Sequence, residues 1–224
     1  MKKKLILMGV AAALVTATLI GGSLAYFQAT GQRVKQQINT KNLGIQFNEV
    51  GKDGLGKDIY TQIPNGTVYV KEILPGAVIQ KEVCITNTQN TDLYTRITIS
   101  KYWGSFKGSE FIKDGNKIAE KIKIPAVQDK DNSGDKARWI LQKEDNEQMV
   151  LYYTKPLAPG ENSKIFMDLI QISQDLQNDY ADLGVELKMQ ADAVQILAGQ
   201  DAIMSEWGVL ATIDDQGYIT KIEE

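Results

Sequence analysis

The 224-residue chain contains no histidine and only one cysteine, Cys84. Without histidine the Ser-His-Asp and Cys-His mechanisms are ruled out, and so are the usual zinc ligands. With one cysteine there is no internal disulfide, so an apolar core must hold the chain together. Cys84 falls in the strand-like run Val83-Cys84-Ile85, where a small buried apolar side chain is expected rather than a reactive thiol. Proline is scarce, and two of the five stand in Pro-Gly corners, Pro75-Gly76 and Pro159-Gly160. Charge is never massed in one sign, because acids and lysines interleave along the chain. No sorting signal of the LPxTG type and no second hydrophobic run precedes Ile222-Glu223-Glu224, so wall attachment and a C-terminal anchor are not expected.

One long hydrophobic run is present, and it opens the chain. Lys2, Lys3 and Lys4 precede an apolar stretch from Leu5 to Ile20, followed by Gly21-Gly22-Ser23-Leu24-Ala25. Ser23 and Ala25 put small side chains at the −3 and −1 positions of a signal peptidase site, with Tyr26 as the first mature residue. Residues 1–25 are therefore expected to be a signal peptide. The alternative is an uncleaved anchor, since Leu5 to Ala25 is just long enough to span a bilayer. Both readings place the rest of the chain outside the cytoplasm, secreted or at the cell surface. The full chain has 25 basic and 28 acidic residues, and the leader holds three of the basic ones and no acid, so the mature net charge is −6. A mildly acidic surface argues against nucleic acid as a partner.

The mature part reads as strands. Leu43, Ile45 and Phe47 alternate with polar residues, the period of a strand with one buried face. Similar runs are Thr67 to Ile73, Val78 to Thr86, Leu93 to Trp103, Ala137 to Leu141, Met149 to Tyr153, Lys164 to Ile172 and Val185 to Ile196. Val209 to Ile213 and Tyr218 to Ile222 flank Asp214-Asp215-Gln216-Gly217 and predict a terminal hairpin. Helix is expected only over Gln200 to Glu206, with Gln171 to Leu183 readable as helix or loop. Gly104 to Gly115 reads as an excursion between strands. The pattern predicts an all-β protein, a jelly-roll-like β-sandwich with one or two short helices, forming a single domain over residues 43–224. Leu74-Pro75-Gly76 and Leu157-Ala158-Pro159-Gly160 each precede a strand and read as two similar corners of that sandwich.

Leu74-Pro75-Gly76, then Val83-Cys84-Ile85-Thr86-Asn87-Thr88, then Asp92-Leu93-Tyr94-Thr95-Arg96-Ile97 resembles the "PG…V.N.G…Y.R" signature of the TasA/camelysin (CalY) family. Tyr152-Tyr153 with Pro156-Leu157-Ala158-Pro159-Gly160 is similar to that family's "YY…PL.PG" block. Gln190-Ala191-Asp192-Ala193-Val194-Gln195, followed by Ala202 and Trp207, is similar to its ".A.AVQ" strand and "A…W" element. The leader is similar to those processed by the signal peptidase SipW. The resemblance implies a jelly-roll protein secreted by a Gram-positive bacterium and assembled into fibres of the biofilm matrix. It also implies head-to-tail self-association by donor-strand complementation, with an accessory fibre subunit as a further partner. Residues 26–42 then form the N-terminal segment, and Phe27, Ala29, Gly31, Val34 and Ile38 are its candidate donor residues. A helical or unstructured segment is the alternative there, and the fibres could keep the fold or refold to cross-β.

Two chemistries are weighed against this reading. Camelysin is described as a metal-dependent protease, but this chain has no histidine and no HExxH, so no catalytic residue is nominated and no cofactor is expected. Asp129-Lys130-Asp131-Asn132-Ser133-Gly134-Asp135 has the opening spacing of a calcium loop, with Asp129, Asp131, Ser133 and Asp135 as oxygen ligands. Its twelfth position is Ile140, where a bidentate glutamate is needed, so a solvated loop is the preferred reading. A monomeric surface or adhesion protein on the same fold is the remaining alternative, and core packing explains the aromatics better than a glycan platform does.

Overall fold

Alternating apolar and polar side chains turn most of this chain into strands, and the computed structural model describes them over residues 44–125 and 136–224. In chain order the strands are β1 (Ile45–Lys52), β2 (Asp58–Gln62), β3 (Thr67–Val70), β4 (Val78–Asn87) and β5 (Leu93–Lys107). Next come β6 (Glu110–Lys113), β7 (Ile122–Lys123), β8 (Trp139–Glu144) and β9 (Gln148–Tyr153). The last four are β10 (Met167–Ile172), β11 (Gly184–Gln195), β12 (Leu210–Ile213) and β13 (Ile219–Glu223). One α-helix, α1 (Gly199–Trp207), lies between β11 and β12.

Two antiparallel sheets carry the fold. The first has the order β2-β1-β4-β10-β7, and the second has β3-β11-β5-β9-β8 with β6 folded back onto β5. The pairs β3–β11, β4–β10 and β5–β9 are nested in sequence and alternate between the sheets. A long antiparallel hairpin rolled into two layers gives this winding, which is the jelly-roll path, with β1 and β2 added at one edge.

The core lies between the sheets. Val83 and Ile85 of β4 and Met167 and Ile170 of β10 face Ile97, Ile99 and Trp103 of β5 and Val185, Leu187 and Met189 of β11. Full burial of each such side chain contributes about 1.5–3 kcal/mol, so this layer is the main source of stability. The two Pro-Gly corners stand at opposite ends of the β4–β10 pair. Ala77 N–H donates to Leu74 O at 3.1 Å, and Glu161 N–H donates to Ala158 O at 3.0 Å. Gly76 and Gly160 sit at φ 75° and 74°, the left-handed conformation that the third position of a type II turn requires. Gly76 N–H bonds Ser173 O just past β10, and Gly160 N–H bonds Asn87 O at the end of β4. Each corner therefore closes off the end of its neighbour's strand. Asn87 is fully buried, and its Nδ2 donates to Thr91 O and Leu157 O, both at 2.8 Å.

A second apolar cluster covers part of the outer face of the β3–β11–β5–β9–β8 sheet. Tyr94, Tyr152 and Val194 pack there beneath Ile203 and Trp207 of α1 and Ile219 and Ile222 of β13. Trp207 meets Tyr152 edge-on at 5.4 Å, and Tyr94 Oη donates to Gly217 O at 2.9 Å. Arg96 and Asp192 lie opposite each other on β5 and β11 and pair at 2.6 Å beneath α1.

Several expectations are corrected. Gly104 to Gly115 is not an excursion, because β5 continues to Lys107 and β6 pairs back on it, with aromatic residues covering the outer face. The run from Thr67 leaves the sheet after Val70, where its pairing with β11 ends. Gln171 to Leu183 is a loop with a 3-10 turn at Asn178–Tyr180. The helix and the terminal hairpin stand where the sequence predicts them.

Candidate functional site

β3 is the edge of its sheet. It pairs with β11 from Val70↔Val185 to Thr67↔Lys188, and no described strand lies on its other side. Lys71 to Pro75 then depart from the ladder, helped by Glu72 at φ 54°, a costly conformation for a non-glycine residue. Across the opening runs the loop between β10 and β11, which ends with Asp182 at φ 62°. Between these segments is a cleft of about 840 Å³ lined by Ile73, Leu74, Phe106, Leu176, Tyr180 and Leu183. Leu74 is 70 % exposed on its rim.

The far wall of the cleft is anchored. Tyr180 packs edge-on against Trp103 with ring centroids 5.0 Å apart. Lys117 pairs with Asp179 at 2.6 Å, and Lys121 pairs with Asp175 at 2.5 Å. Lys121, together with the Ser173 hydroxyl, lowers the Asp175 carboxyl to about 2. The near rim is aromatic and basic, with Lys71 Nζ 4.5 Å above the Phe106 ring and Tyr69 edge-on to the same ring at 5.7 Å.

This arrangement suits binding an extended apolar segment. Among the described residues no strand pairs with the outer side of β3, and hydrophobic pockets adjoin it, the combination that captures an added strand. Among the described residues no group of three or more His, Cys, Asp or Glu could hold a metal ion. Cys84 is buried, and desolvation pushes its thiol up to about 11, which leaves it unreactive at neutral pH.

The signal-cleavage residues Ser23, Ala25 and Tyr26 lie outside the described residues, as do the donor candidates Phe27, Ala29, Gly31, Val34 and Ile38 and the acidic loop with Asp129, Asp131, Ser133 and Asp135. Ile73 ends a strand-like run and Leu176, Tyr180 and Leu183 have helical spacing in the sequence, yet the structure places all four in connections, and only the Leu74-Pro75-Gly76 corner signals that the chain turns there. The fold and cleft together define an antiparallel jelly-roll β-sandwich in which the edge strand β3 adjoins the cleft. Comparisons with protein-family models, with characterised proteins and with solved structures find no match to this chain.

Proposed function

We propose that this chain is a secreted, non-enzymatic structural protein of an extracellular matrix, one that polymerises head to tail. In this reading signal cleavage frees residues 26–42, and that segment adds as a strand to the open β3 edge and cleft of the next copy. The observation that carries the proposal is the edge of β3 running directly into an 840 Å³ apolar cleft. A sandwich with that edge unpaired gains ladder hydrogen bonds and apolar burial together when a strand is added. Exchange of this kind does not close on itself and yields filaments.

Charge supports the same pairing. Residues 26–42 contain Arg33, Lys35 and Lys41 and no acid. Of the 25 basic residues, three lie in the leader and three in this segment, so residues 43–224 keep 19 against all 28 acids, a net −9. A basic arm and an acidic body attract one another, and that attraction is screened by salt.

The test compares a chain beginning at Tyr26 with one beginning at Lys41, by size-exclusion chromatography and negative-stain microscopy. Filaments from the longer chain alone, fewer of them at high salt, are expected. Monomers from both chains overturn strand donation for the isolated protein.

A further inference from the structure

Lys101 occupies a position that its strand otherwise gives to hydrophobic residues. The inward positions of β5 run Ile97, Ile99, Lys101, Trp103, and Lys101 is only 2 % exposed. A buried ammonium needs a carboxylate or several acceptors to offset its lost hydration. Among the described residues its Nζ makes no direct side-chain hydrogen bond or ion pair, and Glu144 and Asp145 act on it only at longer range. Lys101 instead lines a cavity of about 450 Å³ whose wall combines Ile122, Ile124 and Pro125 with Glu120, Glu144 and Asp145. We infer that this cavity is a covalent docking site for a small neutral aldehyde, held as an imine on Lys101 Nζ.

The lining selects the ligand class. Three carboxylates disfavour an anion, Lys101 and Lys123 disfavour a cation, and the isoleucines and proline favour a short hydrocarbon chain. Two amines line the cavity, and Lys101 is the buried one, whereas Lys123 is exposed. Burial lowers the Lys101 amine from the ordinary lysine range, with Glu144 and Asp145 opposing that effect. A desolvated lysine of this kind forms Schiff bases with carbonyl compounds.

The chemistry balances without an oxidant or reductant. The nitrogen lone pair attacks the carbonyl carbon, the C–N bond forms, and the carbonyl π electrons pass to oxygen. A proton moves from nitrogen to that oxygen. A second proton then lets the hydroxyl leave as water while the nitrogen lone pair closes the C=N bond. Loss of the last N–H proton leaves the neutral imine, so amine and aldehyde give imine and water. Glu144 faces this amine and can relay those protons. Asp145 Oδ1 already accepts the N–H groups of Glu147 and Gln148 and serves the turn.

The chain beginning at Tyr26 is treated with butanal and cyanoborohydride at a series of pH values, and the alkylated lysines are mapped by mass spectrometry. At pH 7 Lys101 is expected to react faster than the average exposed lysine, because burial raises its free-amine fraction. K101M removes this fast site and leaves the surface background, with folding checked by circular dichroism. E144Q is at an exposed position and tests the same site in a chain that still carries the amine. Loss of its carboxylate favours the neutral amine, so the midpoint of the Lys101 rate profile moves to lower pH. The other charges that line the cavity, Glu120, Lys123 and Asp145, are unchanged in that variant. Uniform labelling, Lys101 among the slowest sites, or an unmoved midpoint in E144Q overturns the proposal. The readout is the same for monomer and filament, so its failure leaves the assembly reading intact.

Discussion

Gly104 of β5 and Gly184 of β11 stand directly opposite each other in the sheet, and neither has room for a side chain. A Cβ on Gly104 would lie 2.3 Å from Ile112 O, and one on Gly184 would lie 2.7 Å from Val70 O. The rings of Phe111 and Phe106 cover these two positions from the outer face. The pair therefore lets β3, β11, β5 and β6 lie close together beside the cleft.

Gly184→Ala tests that close approach. The added Cβ meets the Phe106 ring at 2.4 Å and Val70 O at 2.7 Å, and the backbone contact cannot be relieved by a rotamer change. A loss of about 1–3 kcal/mol is expected, seen as a lower midpoint in chemical denaturation with an unchanged slope.

Thr95 offers the opposite sign. It is fully buried, and its Oγ1 has no hydrogen-bond partner among the described residues. Thr95→Val keeps the shape and removes an unsatisfied polar atom, so the variant is expected to gain about 1 kcal/mol. A destabilised Thr95→Val in the same denaturation assay refutes this account of the site.

Cys84 gives stability a dependence on alkaline pH. Its thiol titrates near 11 when folded because burial disfavours the thiolate, whereas an unfolded cysteine titrates near 8.5. The folded state thus holds its proton where the unfolded state has lost it, and stability falls as pH rises through this window. The contribution is present in full below about 8.5 and gone by about 11, and it is no larger than about 3 kcal/mol. Cys84→Ala is expected to flatten this part of the melting-temperature profile. In the native protein, thiol reagents at neutral pH are expected to react only after unfolding.

Leu74 separates folding from assembly. It is 70 % exposed, so Leu74→Glu is expected to change stability by no more than about 0.5 kcal/mol. The same change places a charge on the rim of the cleft that the proposed donor segment enters. Filament yield is expected to drop severalfold at unchanged melting temperature, and undiminished filaments would remove the cleft from the assembly surface.

The sandwich was legible because most strands bury one face and announce it by alternation, as in Ile97-Thr98-Ile99-Ser100-Lys101. The two corners were legible because proline and glycine fix a turn by their own backbone restrictions. β2 leaves no such signal for a physical reason: every residue of Asp58–Gln62 is exposed, so no buried face imposes a pattern. β7 is two residues long, too short to show any period. The cleft is built from connections, whose shape is decided by the strands they join. Lys101 was readable in principle, since a lysine in phase with Ile97, Ile99 and Trp103 is a break in an otherwise apolar face.

The nested winding also sets a timetable for the chain. Among the described residues β3 has a single partner, β11, which lies more than a hundred residues later, and β11 is also the longest partner of β5. A polypeptide emerging from its amino end can form the β1–β2 hairpin and the β5–β6 hairpin early, but it cannot complete the second sheet until its final quarter arrives. Pairings this distant make for slow closure. Until then the molecule remains an open, threadable strand, and its last helix and hairpin seal a face that did not exist moments before.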